Sequence, residues 1–114
     1  MNVQRGEVWI VNLDPTVGAE IRKKRPVVVV SSDAVGSLPI RLIAPVTEWK
    51  DHFTGKSWQV KLLPDDSNGL KKPSAVDTLQ LRGLYTSRFI QRLGQVTEEE
   101  MRSVVEAIAI VIDY

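Results

Sequence analysis

Apolar positions in the first four-fifths of the chain come in short runs of β-branched and aromatic residues, and near residue 97 the spacing changes to that of a helix. The runs Glu7 to Leu13, Pro26 to Ser31, Arg41 to Val46, Trp58 to Leu63 and Ala75 to Leu81 predict five strands. Within the fourth, Trp58, Val60 and Leu62 alternate with Gln59 and Lys61, as on a sheet with one covered face. Val27 to Val30 is continuous instead, the pattern of a strand buried on both faces. Proline, glycine and Asx residues punctuate these runs at Asp14-Pro15, Gly36-Ser37, Leu38-Pro39, Thr54-Gly55 and from Pro64 to Gly69. Short strands at this spacing predict a small barrel or strongly bent sheet.

Thr97-Glu98-Glu99-Glu100 then reads as a capping box, and three glutamates suit the positive end of a helix dipole. Met101, Val104, Val105, Ile108 and Ile112 share one face beyond it, and Glu98 and Arg102 stand one turn apart on another. A helix over Glu98 to Val111 follows. Its last turns are apolar nearly all round, so the helix is either central or part of a subunit interface. A shorter helical turn is expected over Thr86 to Ile90.

Composition narrows the class. The 114 residues make one domain, with 43% apolar and 25% charged residues, close to globular averages. The longest uncharged apolar run, Ala107 to Ile112, is too short to span a bilayer, and no secretory leader opens the chain, so a cytoplasmic location is expected. Without cysteine there is no thiolate chemistry, and with one histidine no histidine-rich metal site; composition leaves carboxylate-bound Mg²⁺ open, although no metal or cofactor is expected. Net charge is only +1, yet Arg22, Lys23, Lys24 and Arg25 form a block, and Lys71 and Lys72 a second, smaller one. A local cationic surface on a nearly neutral chain attracts a phosphate backbone over short range.

Glu20, Arg25 and Thr47 are the residues singled out for chemistry. Metal-free RNA cleavage needs a base for the 2′-hydroxyl, positive charge on the phosphorane and an acid for the leaving oxygen. A carboxylate such as Glu20 suits the first task, and a guanidinium such as Arg25 the second. Arginine is a poor proton donor, so the acid is left unassigned. Thr47, at a strand end, either donates to the phosphate or caps the strand. By residue type alone an isolated Glu and Arg more often form a solvated ion pair. Trp49, Lys50, His52, Phe53 and Lys56 mix rings with cations, as a surface for unpaired bases does, or as an ordinary loop anchored by its rings does. Asp65, Asp66 and Asn68 begin like a calcium loop but lack its closing glutamate, and a turn is expected.

Arg5-Gly6-Glu7-Val8-Trp9, Asp14-Pro15, Gly18 with Glu20, Arg25-Pro26 before the valines, Pro45-Val46-Thr47 and Gln80-Leu81-Arg82 occur in the order in which the MazF/PemK family of toxin endoribonucleases carries them. The whole chain resembles that family. The resemblance implies a mainly β, α+β fold: an SH3-like small barrel of the PemK/CcdB toxin type with a C-terminal amphipathic helix. It implies a homodimeric toxin of a type II toxin–antitoxin system that cuts single-stranded RNA at specific sequences without metal. The products would be a 2′,3′-cyclic phosphate and a 5′-hydroxyl, and translation and growth would stop. Arg25 and Thr47 take the positions of the family's central catalytic pair, and Glu20 that of a loop glutamate used in catalysis or RNA binding. Arg22, Lys23, Lys24, Glu48, Trp49, Lys50, His52, Lys56, Asp77 and Gln80 are expected along the RNA groove. The implied partner is an antitoxin with an acidic, disordered tail, and operator DNA only through the toxin–antitoxin complex.

Some members carry a histidine where Ala19 stands, a serine in place of Glu48, and an arginine and an aspartate in place of Asp77 and Leu79. The PemK arrangement of acid and base therefore does not transfer whole. Two readings from other classes compete: a gyrase-poisoning toxin of the same fold, which would use the C-terminal helix and Tyr114, and a non-catalytic RNA-binding module.

Overall fold

The computed structural model describes residues 2–13 and 24–114. Seven antiparallel strands form one sheet: β1 (Glu7–Asn12), β2 (Lys24–Val29), β3 (Ile40–Glu48), β4 (Gln59–Leu62), β5 (Ser74–Asp77), β6 (Arg82–Tyr85) and β7 (Phe89–Gln95). Their order is β4-β5-β3-β2-β1-β7, with β6 also paired to β3. This strongly bent sheet and the single helix α1 (Glu98–Val111) are the mainly β architecture that the sequence pattern and the resemblance lead one to expect.

Both faces of the central strands are covered, as the unbroken valines require. Val8, Val28 and Ala44 face one core, completed by Leu62, Val76, Met101 and Val104. Trp9, Val11, Val27, Val29 and Ile43 face the other, closed by Val3, Leu13, Leu84 and Phe89. The alternation follows from the two-residue period of a strand. Val8, Val11, Val27, Val28, Val29 and Val104 are fully buried, and each stabilises the fold by about 1.5–3 kcal/mol relative to exposure.

Three stretches differ from the sequence expectation. The fifth run stops being a strand at Asp77, whose carboxylate accepts from the Leu79 amide (3.1 Å) and starts a 3₁₀ turn over Thr78–Gln80. Strands β6 and β7 carry no apolar run: β7 reads Phe-Ile-Gln-Arg-Leu-Gly-Gln, and its pairing with β1 shifts register twice. The expected turn near Thr86 is present as a 3₁₀ turn over Thr86–Arg88.

In α1 the capping box forms as read. The Thr97 hydroxyl accepts from the Glu100 amide (3.0 Å), and the Glu100 carboxylate accepts from the Thr97 amide (2.8 Å). Met101, Val104 and Ala107 are buried, with Ile108 packed beside them. Val105 and Ile112, expected on that same face, are exposed, as is Ile110. Their positions lie toward the edge of the apolar stripe, beyond reach of the sheet. Glu98 and Arg102 do not close to an ion pair; both border a shallow depression beside Met101.

One buried carboxylate ties the sheet's edge. Glu7 accepts from the Gln4 amide (2.7 Å) and the Trp9 indole (3.0 Å) through Oε1, and from Arg92 Nε (2.6 Å) through Oε2. Burial alone would raise its pKa; the Gln4 amide, the Trp9 indole and the Arg92 guanidinium outweigh that and hold it below the ordinary 4.5. A carboxyl depressed by folding stabilises fully above the unfolded value, and that stability is lost as pH falls through the lower, folded value. Glu7→Gln should therefore cost about 1–3 kcal/mol near neutral pH, toward the lower end because Arg92 is half exposed. Urea unfolding as a function of pH should show the wild-type advantage shrinking below pH 4.5; an advantage that persists unchanged into strong acid would contradict this assignment.

Candidate active site

Arg25 and Thr47 lie on opposite lips of one cleft, and Pro26 explains why the strands part there. Strands β2 and β3 pair only at Val27 with Pro45, Val28 with Ala44 and Val29 with Ile43. Pro26, next in register, has no N–H to extend that ladder to Val46. Beyond it β3 turns to β5, pairing Val46 with Val76, Thr47 with Ala75 and Glu48 with Ser74. Strand β2 stays on β1 as far as Lys24. The two strands part, and continuing their register past Pro26 and Val46 would set Arg25 opposite Thr47.

The resulting cavity of about 460 Å³ lies within the range of small-ligand sites. Arg25, Thr47, Glu48, Lys71 and Lys72 line its polar side. Arg25 and Thr47 are half-buried, whereas Glu48, Lys71 and Lys72 are exposed. Glu48 holds Lys50 at 3.5 Å and Lys72 at 4.0 Å, loose solvent-exposed pairs worth little in stability, which a competing phosphate can replace. Ile10, Pro26, Leu70 and Leu93 give the cavity an apolar floor, with Gln91 beside it.

The wall that carries Lys71 and Lys72 is built on the turn that begins like a calcium loop. Asp65 and Asn68 spend their side chains on the turn itself. Asp65 accepts from the Ser67 and Asn68 amides (both 2.8 Å). Asn68, fully buried, accepts from the Asp65 and Leu70 amides (3.2 and 3.0 Å) and donates to the Leu63 carbonyl (2.9 Å). The turn then presses on β7: the Gln95 amide donates to the Ser67 carbonyl (2.8 Å), and a Cβ on Gly94 would collide with that same carbonyl. Gly69, with φ of +68°, lies equally close to the Leu93 backbone. At the far end the Trp49 amide donates to Pro73 (2.9 Å), and the Ser74 hydroxyl to the Lys72 carbonyl (2.8 Å).

Of the residues singled out from sequence, Arg25, Thr47 and Glu48 meet in this cleft, and Lys24 is exposed on the neighbouring strand position. Glu20, Arg22 and Lys23 lie outside the described residues. Trp49, Lys50, His52 and Lys56 follow β3 into the next connection and do not line the cavity. There Phe53 meets Trp49 edge-on (5.6 Å) and His52 (4.6 Å), Lys61 lies over the Trp49 ring (5.0 Å), and Lys56 over that of Trp58 (5.9 Å). The rings of that loop thus anchor one another and carry cations on their faces. Asp77 and Gln80 bond each other (2.8 Å) at the 3₁₀ turn, with Asp77 buried and away from the cavity. Lys71 and Lys72 stood out in the sequence only as a Lys-Lys pair beside Pro73, with no link to Arg25, and Gln91 gave no signal there.

A family model of PemK-like, MazF-like toxins of type II toxin–antitoxin systems matches residues 4–112. The chain belongs to that toxin family. Among its relatives, the protein named endoribonuclease MazF9 of Mycobacterium tuberculosis (strain ATCC 25618 / H37Rv) is 32% identical over 117 residues, covering 97% of each chain. Endoribonuclease PemK of Escherichia coli is 33% identical over 108 residues, 91% of this chain and 77% of the relative. The fold is shared with a crystal structure of MazF (Form-I) from Deinococcus radiodurans, with a TM-score of 0.81 and 22% identity over 100% of this chain and 99% of the other. A MazE-MazF structure (Form-III) from the same organism superposes with a TM-score of 0.76 and 21% identity, over 99% and 98% of the two chains. The PemK/MazF-like chain described here thus carries the family's fold, with Arg25 and Thr47 brought to one cleft.

Because Gly94 supports the wall bearing Lys71 and Lys72, Gly94→Ala should destabilise the protein by about 1–3 kcal/mol through backbone overpacking. Hydrogen exchange should show the Leu70 and Gln95 amides losing protection first. An unaltered urea midpoint with unchanged protection at both amides would refute the close approach.

Proposed function

We propose that this chain is the toxin of a type II toxin–antitoxin pair and cuts single-stranded RNA by metal-independent transfer of the phosphoryl group to the adjacent 2′-hydroxyl. The single observation that carries the reading is the placement of Arg25 and Thr47 on the two lips of one cleft beside Lys71 and Lys72. Supporting it are the family membership and the relatives named endoribonucleases.

In this mechanism Arg25 grips the non-bridging oxygens of the scissile phosphate, and its charge is worth more as the phosphorane gains negative charge. Thr47 donates a hydroxyl hydrogen bond to the same group. The 2′-oxygen attacks phosphorus as its proton passes to a base, for which Glu20 is assigned on residue type and family position. The bond to the 5′-oxygen breaks, that oxygen takes up a proton, and a 2′,3′-cyclic phosphate and a 5′-hydroxyl result. Positive charge from Arg25, Lys71 and Lys72 at the cleft supplies what a cation would otherwise provide. Lys24 and the block before it extend the track for the RNA backbone, and Lys50, Lys56, His52 and Trp49 continue it along the next loop.

The partner is an antitoxin with an acidic tail, whose carboxylates would occupy the same cations as RNA and so block it; solved relatives include MazE-MazF structures. Exposed Val105, Ile110 and Ile112 on α1 suit a homodimer interface. Operator DNA would be bound only by the toxin–antitoxin complex, and the protein would act in the cytoplasm.

Purified protein in excess EDTA, given a long end-labelled single-stranded RNA, should produce discrete cuts ending in cyclic phosphate. Arg25→Ala should slow them roughly 10²- to 10³-fold, the usual loss for one transition-state donor. Uncut RNA from folded wild-type protein across many sequences would sink the reading and turn attention to gyrase inhibition, in which Arg25 should matter little.

A further inference from the structure

The cleft has two ends of unlike chemistry. Arg25, Lys71 and Lys72 suit phosphate, while the floor across β2, β1 and β7 has nothing to offer an anion. In the paired register Ile10 stands between Pro26 on one side and Gln91 on the other, so these three side chains form a row across the sheet. Leu93 follows Gln91 at the strand's two-residue period, and Leu70 reaches in from the wall. An apolar floor of this kind fits the flat face of an unpaired base.

Gln91 is the one amide lining the cavity. It is exposed, and its side chain makes no hydrogen bond among the described residues. Gln95, the other glutamine of β7, is instead engaged by Arg92 (3.2 Å). A free primary amide presents a donor and an acceptor in one plane, matching the adjacent donor and acceptor on a base edge. Phosphate contacts fix register without reading sequence, so discrimination must come from such a group.

We propose that Gln91 is a specificity-determining residue that reads one unpaired RNA base lying on Ile10, Leu70 and Leu93, with a neighbouring phosphate held by Arg25. The inference rests on the RNA-cleaving reading of the same cleft.

The test maps cuts in a randomised single-stranded RNA pool by wild type, Gln91→Leu and Gln91→Glu. Leucine keeps bulk and removes the amide; glutamate keeps shape and replaces the donor by an acceptor. At one position of the motif, Gln91→Leu should erase a preference of roughly 5- to 150-fold, the range for a bidentate base contact. Gln91→Glu should shift that same position toward bases presenting N–H groups, while the other positions and the unfolding midpoint stay as in wild type. If wild type cuts and both variants keep its preferences, or lose rate evenly on all sequences, the inference is overturned. If wild type cuts nothing, the cleavage reading fails, and sequencing the pool retained on a filter decides Gln91. A base enriched at one position and lost in Gln91→Leu supports the inference. Enrichment unaffected by the substitution, or no retention of RNA at all, overturns it.

Discussion

Strand β3 belongs to three ladders, with β2, β6 and β5, and the rest of the architecture follows from where it changes partner. Its first half lies between β2 and β6, and its last three residues pair with β5. On the edge facing β2 the ladder ends where Pro26 lacks the donor its continuation would need, and on the opposite edge β3 passes from β6 to β5 at Pro45. A strand so divided bends the sheet and lets Val76 and Leu62 fold over the core beneath α1. It also leaves β2 and β3 diverging at residues 25 and 47. A missing hydrogen-bond donor, rather than any feature of the Arg25 and Thr47 side chains, makes the opening.

What was legible from sequence had a local cause. The valines of β2 announce a doubly covered strand because every side chain is apolar, and Thr97 and Glu100 announce a helix start because the capping box closes within four residues. Only the resemblance drew Arg25 and Thr47 together, since residues so far apart in the chain give no sign of sharing a cleft. Strands β6 and β7 were not legible because they are held by partners rather than by their own pattern. In β7 the residues that matter are two glycine-mediated approaches to the 65–69 turn and an amide facing a cavity, and none has a periodic signature. The break at Asp77 was missed for a related reason: a side chain capping its own following backbone ends a strand without interrupting the run of apolar residues. Lys71 and Lys72 stood out as a charge pair, but only the buried Asn68 turn shows why these exposed side chains border Arg25's cleft.

Net charge of +1 understates the site. Among the described residues, the cations at the cleft reach it from two separate segments, and Glu48 is the carboxylate beside them. With no nucleic acid bound, its loose pairs with Lys50 and Lys72 restrain two long side chains at little energetic gain. An incoming phosphate displaces those pairs at little cost, whereas the carboxylate itself resists a phosphate placed directly upon it. Backbone is therefore favoured along Arg25 and the lysines and disfavoured over Glu48.

That division also separates affinity from selection. The groups proposed to grip phosphate sit on β2, the end of β3 and the 65–73 wall, while the floor proposed to meet a base lies on β1 and β7. Cations hold any RNA strand alike, and their contribution fades with salt. The floor is apolar with a single free amide, so its contribution depends on the base and little on salt. Under the proposed mechanism, substitutions on β7 redirect cleavage to new sequences without touching Arg25 and Thr47. A change at Arg25 has no such freedom, because the same guanidinium must both anchor the backbone and meet the charge that develops in the transition state.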